Sequence, residues 1–117
     1  ETAEGREKAE EIITTPGLDG IYIGPADLAL SMGLPAMGDQ PQPEHLEEVK
    51  RLIALCKKHR VAVGIHTGGI EYTQKYLELG CNFIAMGSDS GHMMKAAAKE
   101  LAEARGTQEK QRESTGY

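Results

Sequence analysis

Asp19-Gly20-Ile21-Tyr22-Ile23-Gly24-Pro25-Ala26-Asp27-Leu28 holds a strand and its exit. The run from Gly20 to Gly24 is apolar, β-branched at Ile21 and Ile23, and bounded by glycine, which marks a buried strand. Gly24-Pro25 stops it, because proline has no N–H for a strand ladder. Asp27 comes two residues later. It can cap the helix that follows, or it can aim a carboxylate at whatever binds beyond the C-terminal end of the strand.

Upstream, residues 2–14 read as a helix. Thr2 can cap it, Glu4 and Glu7 crowd its first turns, and Ala9, Ile12 and Ile13 form a short apolar face. Pro16-Gly17 ends it. Downstream, Ala26 to Met32 reads as a short helical turn with Gly33 as its stop. Residues 34–42 are rich in Pro and Gly and read as a long loop, which in a compact domain is usually functional or mobile. Pro43 to His59 is a strong amphipathic helix, with Leu46, Val49, Leu52, Ile53 and Cys56 on one face. Val61 to His66 is a second apolar strand. Thr67-Gly68-Gly69 leads into a helix from Ile70 to Leu79, closed by Gly80. Cys81 to Gly87 is a third strand. Ser88-Asp89-Ser90 caps a last helix with Met94, Ala97, Leu101 and Ala104 on one face. From Arg105 to Tyr117 the composition turns polar, and a frayed or extended tail is expected. The expected division is therefore a domain over 1–104 and a polar tail over 105–117.

A helix followed by three strand–helix units, with strands apolar on both faces, is the pattern of a parallel sheet covered on both sides. An open doubly wound sheet and a piece of a closed barrel both fit it. No internal repeat is evident beyond the strand–helix unit.

The 117 residues allow one domain at most, with a modest core of Ala, Ile, Leu, Val and Met and no Trp. The net charge of −5 argues against a nucleic-acid partner or an anionic membrane surface, either of which wants a basic patch. Lys57, Lys58, His59 and Arg60 form the longest basic cluster, and they read as a helix C-terminus where cations complement the dipole. Cys56 and Cys81 have no metal spacing, and reduced thiols in a cytoplasm are the plain expectation. No apolar run approaches the roughly 20 residues of a membrane span. Because the first residue is Glu rather than Met, a chain cut from a longer one is expected.

In either architecture ligands gather at the C-terminal ends of the strands. Gly24-Pro25-Ala26-Asp27, His66-Thr67-Gly68-Gly69 and Gly87-Ser88-Asp89 all arrive there. Glycine lets backbone amides approach a ligand, but a strand-to-helix turn needs glycine and a cap in any case.

The stretch from Asp19 to Leu28, followed by Ser31-Met32-Gly33, closely resembles the DG-[IV]-x-IGPxDL…S-[LM]-G pattern of the HpcH/HpaI aldolases. Gly64-Ile65-His66-Thr67-Gly68, Tyr76-Leu77-Glu78-Leu79-Gly80 and Phe83-Ile84-Ala85-Met86-Gly87-Ser88-Asp89 follow the order of that family's sixth to eighth strands. The similarity covers about residues 1–104. It implies the C-terminal half of a TIM (β/α)8 barrel, with three parallel strands alternating with helices. It also implies an aldehyde-lyase that cleaves or forms a carbon–carbon bond in 4-hydroxy-2-oxo acids, giving pyruvate and an aldehyde. In such enzymes a divalent metal is held by a Glu that closes one strand and by the Asp of the GPxD motif, 26 residues further on. Glu1 and Asp27 match in identity and spacing, so the resemblance makes them the metal ligands. Two carboxylates, water and the oxygens of pyruvate form an all-oxygen shell suited to Mg²⁺ or Mn²⁺, with Co²⁺ as a further candidate. Gly24, Pro25, Ala26 and Asp27 are the implied substrate-binding turn, with backbone amides facing the substrate carboxylate.

His66 departs from the family, many of whose members carry an apolar residue where this strand ends. It is expected either to face the aldehyde half of the substrate or to be a hydrogen-bonded structural residue. The family's catalytic Arg and His–acid dyad belong to the first half of the barrel, so no catalytic residue is expected in this chain, and by itself it is expected to be inactive. A homo-oligomer is also implied. The rival readings are a CoA-ester lyase of the citrate lyase β or malyl-CoA type, which would need a pocket for adenine and pantetheine, and a non-catalytic half-barrel that only binds or assembles.

Overall fold

The structure, a computed structural model, describes the backbone of residues 1–114 and the side chains of residues 1–106. The chain divides into two units, Glu1–Met86 and Gly87–Tyr117. In the first, the elements run α1 (Ala3–Glu7), α2 (Ala9–Ile13), β1 (Gly20–Ile23), α3 (Pro25–Ser31), α4 (Pro43–His59), β2 (Ala62–Thr67), α5 (Ile70–Leu79) and β3 (Phe83–Met86). The expected strand–helix alternation is present. One correction concerns residues 2–14, which form two short helices broken at Lys8 (φ −93°, ψ 15°) rather than one. The break separates α1, which buries nothing, from α2, which sinks Ala9 and Ile13 into the core.

The three strands are parallel, in the order β1-β2-β3. Ile21 pairs with Val63 and Ile23 with Ile65, while Gly64 pairs with Phe83 and His66 with Ala85. Alternation then sorts the side chains onto two faces. Ile21, Ile23, Val63, Ile65 and Ile84 join the core with Ala9, Ile13, Leu28, Val49, Leu52, Ile53, Cys56 and Tyr76. Tyr22 and Phe83 stand on the other face, 45% and 63% exposed. Within this unit the helices cover one face, not both as the apolar strands suggested. In a closed barrel the second face looks inward at opposite strands, so a strand apolar on both faces needs helices on only one.

Gly64 lies between the two exposed rings. A Cβ there would meet Phe83 Cδ1 at 2.8 Å, Phe83 O at 2.9 Å and Tyr22 Cδ2 at 2.9 Å. Its absence lets the rings pack across β2 with centroids 5.9 Å apart.

In the second unit Ser88 and Asp89 perform the expected capping. Ser88 Oγ accepts from the Gly91 amide at 3.1 Å, and Asp89 Oδ1 accepts from the Ser90 amide at 2.6 Å. Helix α6 (Asp89–Ser114) runs past Arg105, where the sequence suggested a tail. Glu, Lys, Gln and Arg in that stretch are good helix formers, and their polarity does not count against a helix. Residues 115–117 of the expected tail lie outside the described residues. Among the described residues no helix is long and apolar enough to cross a membrane.

Candidate functional site

The GPxD turn takes its shape from three residues. Gly24 (φ −87°, ψ 101°) occupies the N-cap position of α3, and Pro25 follows at the first helical position, where its fixed φ fits and its missing N–H costs nothing. Asp27 sits in the first turn of α3 and does not cap it, and no side chain hydrogen-bonds at this N-cap. The carboxylate is left to point elsewhere, and the capping alternative for Asp27 is set aside.

Gly24 shows where it points. Ile23 is turned into the core, so the next position faces the open side of the sheet. A Cβ at Gly24 would lie 2.7 Å from Glu1 Oε1 and 3.1 Å from Asp27 Oδ2. The two oxygens can be no farther apart than the sum of those distances. An octahedral Mg²⁺ with oxygen ligands at about 2.1 Å spans about 4 Å between opposite ligands, so a modest side-chain rotation suffices for both to reach one ion. Both residues are exposed, and no hydrogen bond or ion pair within the described residues engages either carboxylate. Two carboxylates that converge over a glycine, with no side-chain partner among the described residues, form a donor set that fits a divalent metal. Among the described residues no group of three or more His, Cys, Asp or Glu gathers for a metal, so water and substrate would complete the shell.

His66 neighbours this cradle. β1 and β2 pair as far as Ile23 and Ile65, so Gly24 and His66 each stand one step beyond, on adjacent strands and the same face. The imidazole is half-buried, and no hydrogen bond holds it within the described residues. Thr67 turns the other way and meets Thr73 Oγ1 at 2.6 Å.

The loop 34–42 is fastened at this end of the sheet. The Gly68 amide donates to Asp39 Oδ1 at 2.8 Å, and a Cβ at Gly68 would meet Asp39 Oδ2 at 2.9 Å. Gln40 is buried and donates from Nε2 to Pro35 O at 2.8 Å. Pro25 O accepts from His45 Nε2 at 3.0 Å, a bond buried on both sides. Burial, the largest cause, holds the His45 imidazole below its ordinary pKa, so it is neutral, with the proton on Nε2. Asp39, Gln40 and His45 were not singled out in the sequence. His45 left one signal: it stands four residues before Val49, on the apolar stripe of α4.

A wider groove lined by Lys57, Arg60 and Asn82 lies at the other, N-terminal ends of β2 and β3. That end of a parallel barrel serves stability rather than chemistry.

Comparison with known proteins bears on the family and the fold. The sequence pattern of the HpcH/HpaI aldolase/citrate lyase family matches residues 1–96. The 5-keto-4-deoxy-D-glucarate aldolase of Klebsiella pneumoniae is 36% identical over 104 residues, covering 89% of this chain and 40% of that protein. The hydroxypyruvate/pyruvate aldolase of Paraburkholderia phytofirmans is 32% identical over 105 residues, covering 90% and 40%. A crystal structure of a family protein from Burkholderia cenocepacia superposes with a TM-score of 0.82 at 36% identity, over 90% of this chain and 40% of that one. The chain thus spans about 40% of the length of the curated relatives it matches.

Proposed function

Since the chain belongs to the HpcH/HpaI aldolase/citrate lyase family, we propose that it carries the metal-binding part of a class II aldolase acting on 4-hydroxy-2-oxo acids, with pyruvate and an aldehyde as products. The observation that carries this reading is the convergence of Glu1 Oε1 and Asp27 Oδ2 on the empty Cβ position of Gly24. Glu1 and Asp27 would hold Mg²⁺ or Mn²⁺, with Co²⁺ as a further candidate, through hard oxygen ligands. Such an ion supplies Lewis acidity to the 2-oxo group and offsets the negative charge that develops as the carbon–carbon bond breaks.

The residues of the chain do the rest by position. Gly24 leaves room for a substrate to approach from the open face. Ala26 and Asp27 offer first-turn amides, which helix geometry leaves without intrahelical partners, to the substrate carboxylate. His66, beside Gly24 and without a hydrogen-bond partner among the described residues, suits a role toward the aldehyde half. No residue of this chain is assigned the acid–base step. The resemblance puts that step, and the Arg that would balance charge, in the first half of the barrel.

The test is deuterium exchange into the methyl group of pyruvate, with the whole barrel assembled, in Mg²⁺ or Mn²⁺ and again in EDTA. Metal-dependent exchange that disappears in Asp27→Asn is expected. No exchange in either condition would turn the reading toward a CoA-ester lyase or a barrel without catalysis. Replacing His66 with Leu should shift the preference among aldehydes while pyruvate exchange persists, and an unchanged preference would return His66 to a structural role.

A further inference from the structure

The two carboxylates at Gly24 stand on elements that cannot hold themselves. Glu1 stands next to Thr2, the N-cap of α1, a helix of 5 residues, and Asp27 belongs to α3, a helix of 7. Helices this short lie well below the roughly 12 residues at which an isolated helix becomes even marginal, so their positions must be set from outside. Helix α4, with 17 residues, is anchored by Val49, Leu52, Ile53 and Cys56 in the core. It touches both short helices through polar side chains. His45 Nε2 donates to Pro25 O, two residues before Asp27. Glu48 accepts from Arg6 Nε at 3.3 Å and from Arg51 at 2.7 and 2.9 Å. Arg6 in turn donates to Ser31 O at 3.4 Å, the last residue of α3, and Arg51 donates to Arg6 O at 2.9 Å in α1. Helix α4 therefore grips α3 at Pro25 and α1 at Arg6, and Arg6 in turn ties α1 to Ser31 at the end of α3.

We infer that His45, together with the Arg6–Glu48–Arg51 network, is a positioning device that sets the separation of the Glu1 and Asp27 carboxylates. The inference rests on the reading of those carboxylates as a metal pair. His45 is its most exacting member. It is fully buried and out of reach of bulk water, and its bond to Pro25 O ties α4 to the first residue of α3, so losing it would remove that tie and one of the donors to a buried carbonyl. A shift of the Pro25 carbonyl carries Asp27 with it, because α3 begins there. Arg6 does the same for Glu1 from the far side, since its side chain spans from α1 to the end of α3.

The test measures Mn²⁺ affinity by electron paramagnetic resonance on the full chain, well below the melting temperature of each variant, with melting recorded separately. The unaltered chain should bind Mn²⁺ and Asp27→Asn should not. His45→Leu should weaken binding roughly tenfold, the lower end of what loss of a supporting hydrogen bond costs a metal site. His45→Gln, which keeps a donor at about the place of Nε2, should restore most of it. Arg6→Met should weaken binding several-fold and carries the test if His45→Leu does not fold. A purely structural role for α4 would lower the melting temperature and leave the Mn²⁺ affinity of the folded variants unchanged. That result would overturn the inference while leaving the metal pair intact. Failure of the unaltered chain to bind Mn²⁺ would instead remove the metal pair, and the inference with it.

Discussion

An alanine at position 24 would place its methyl carbon 2.7 Å from Glu1 Oε1 and 3.1 Å from Asp27 Oδ2. The backbone at Gly24 has φ −87°, which any residue adopts, so the substitution carries no conformational strain. Both clashing atoms end exposed side chains, which can swing away at little energetic cost. The expected outcome is thus a separation of effects. Gly24→Ala should keep its melting temperature within about 2 °C, as expected of a change near 0.5 kcal/mol. It should lose at least about tenfold in Mn²⁺ affinity, on the scale of other disturbances around a metal site. Titration calorimetry beside thermal denaturation checks both, and an unchanged affinity would mean that the two carboxylates do not act as a pair. Cysteines give a second check. Burial pushes the Cys81 thiol up to about 11, and burial also raises Cys56. Both thiols should resist alkylation at neutral pH until the chain unfolds, and rapid labelling of the native protein would show that this part of the core opens readily. At this scale the resemblance paired Glu1 with Asp27, and the structure brings their carboxylates to one glycine, while their role toward a metal is a proposal. His45 was not, because a lone His on an apolar helix face looks the same whether it fills space or holds a carbonyl.

Between elements, Glu10 joins α2 to the end of α4. It meets Lys58 Nζ at 2.6 Å and His59 Nε2 at 2.9 Å. The bond from Lys58, and next that from His59, pull the Glu10 carboxyl down to about 2. A carboxyl depressed in the folded state contributes stability that is fully present above its ordinary value near 4.5 and is lost as pH falls through about 2. The residue is exposed, so the contribution is screened and small. Carboxyl-carbon NMR should give a midpoint near 2, and Glu10→Gln should flatten the stability–pH slope between those limits. A midpoint near 4.5 would mean that the bridge does not form in solution. The basic cluster read as a helix terminus is thus also a docking point for α2, which the sequence alone could not reveal because Glu10 is 48 residues from Lys58. Gly64 makes the matching case within the sheet. Any Cβ there meets two rings and a backbone oxygen, and the oxygen cannot move aside. Gly64→Ala should cost about 1–3 kcal/mol in chemical denaturation, as overpacking does. A neutral substitution would mean that Tyr22 and Phe83 yield freely. Strand positions were legible from apolar runs, but the break at Lys8 was not, since Glu7, Lys8 and Ala9 all favour helix, while the poor helix former Gly5 lies inside α1 rather than at the break.

In the first unit taken whole, one face of the sheet is dressed with helices and the other presents Tyr22 and Phe83. The parallel order and the strand–helix alternation could be read from the sequence, because buried parallel strands are apolar throughout. Which face carries the helices could not, since that same uniformity erases the distinction. Strands β1 and β3 each have an outer edge without a strand partner among the described residues. Free edges offer unpaired N–H and C=O groups, and the exposed aromatic pair adds apolar area beside them. Both features predict that the 117-residue polypeptide, prepared by itself, self-associates at concentrations from roughly micromolar upward. Sedimentation velocity should show oligomers that grow with concentration. Phe83→Lys, which replaces an exposed ring on an edge strand with the charge proteins commonly use to protect edges, should shift the distribution toward monomer while helix content by circular dichroism stays the same. If the unaltered polypeptide is monomeric across that range, packing of the Tyr22 ring against Phe83 over Gly64 is itself enough to shield the face. The double substitution of Tyr22 and Phe83 by Ser should then lower stability without changing the sedimentation coefficient.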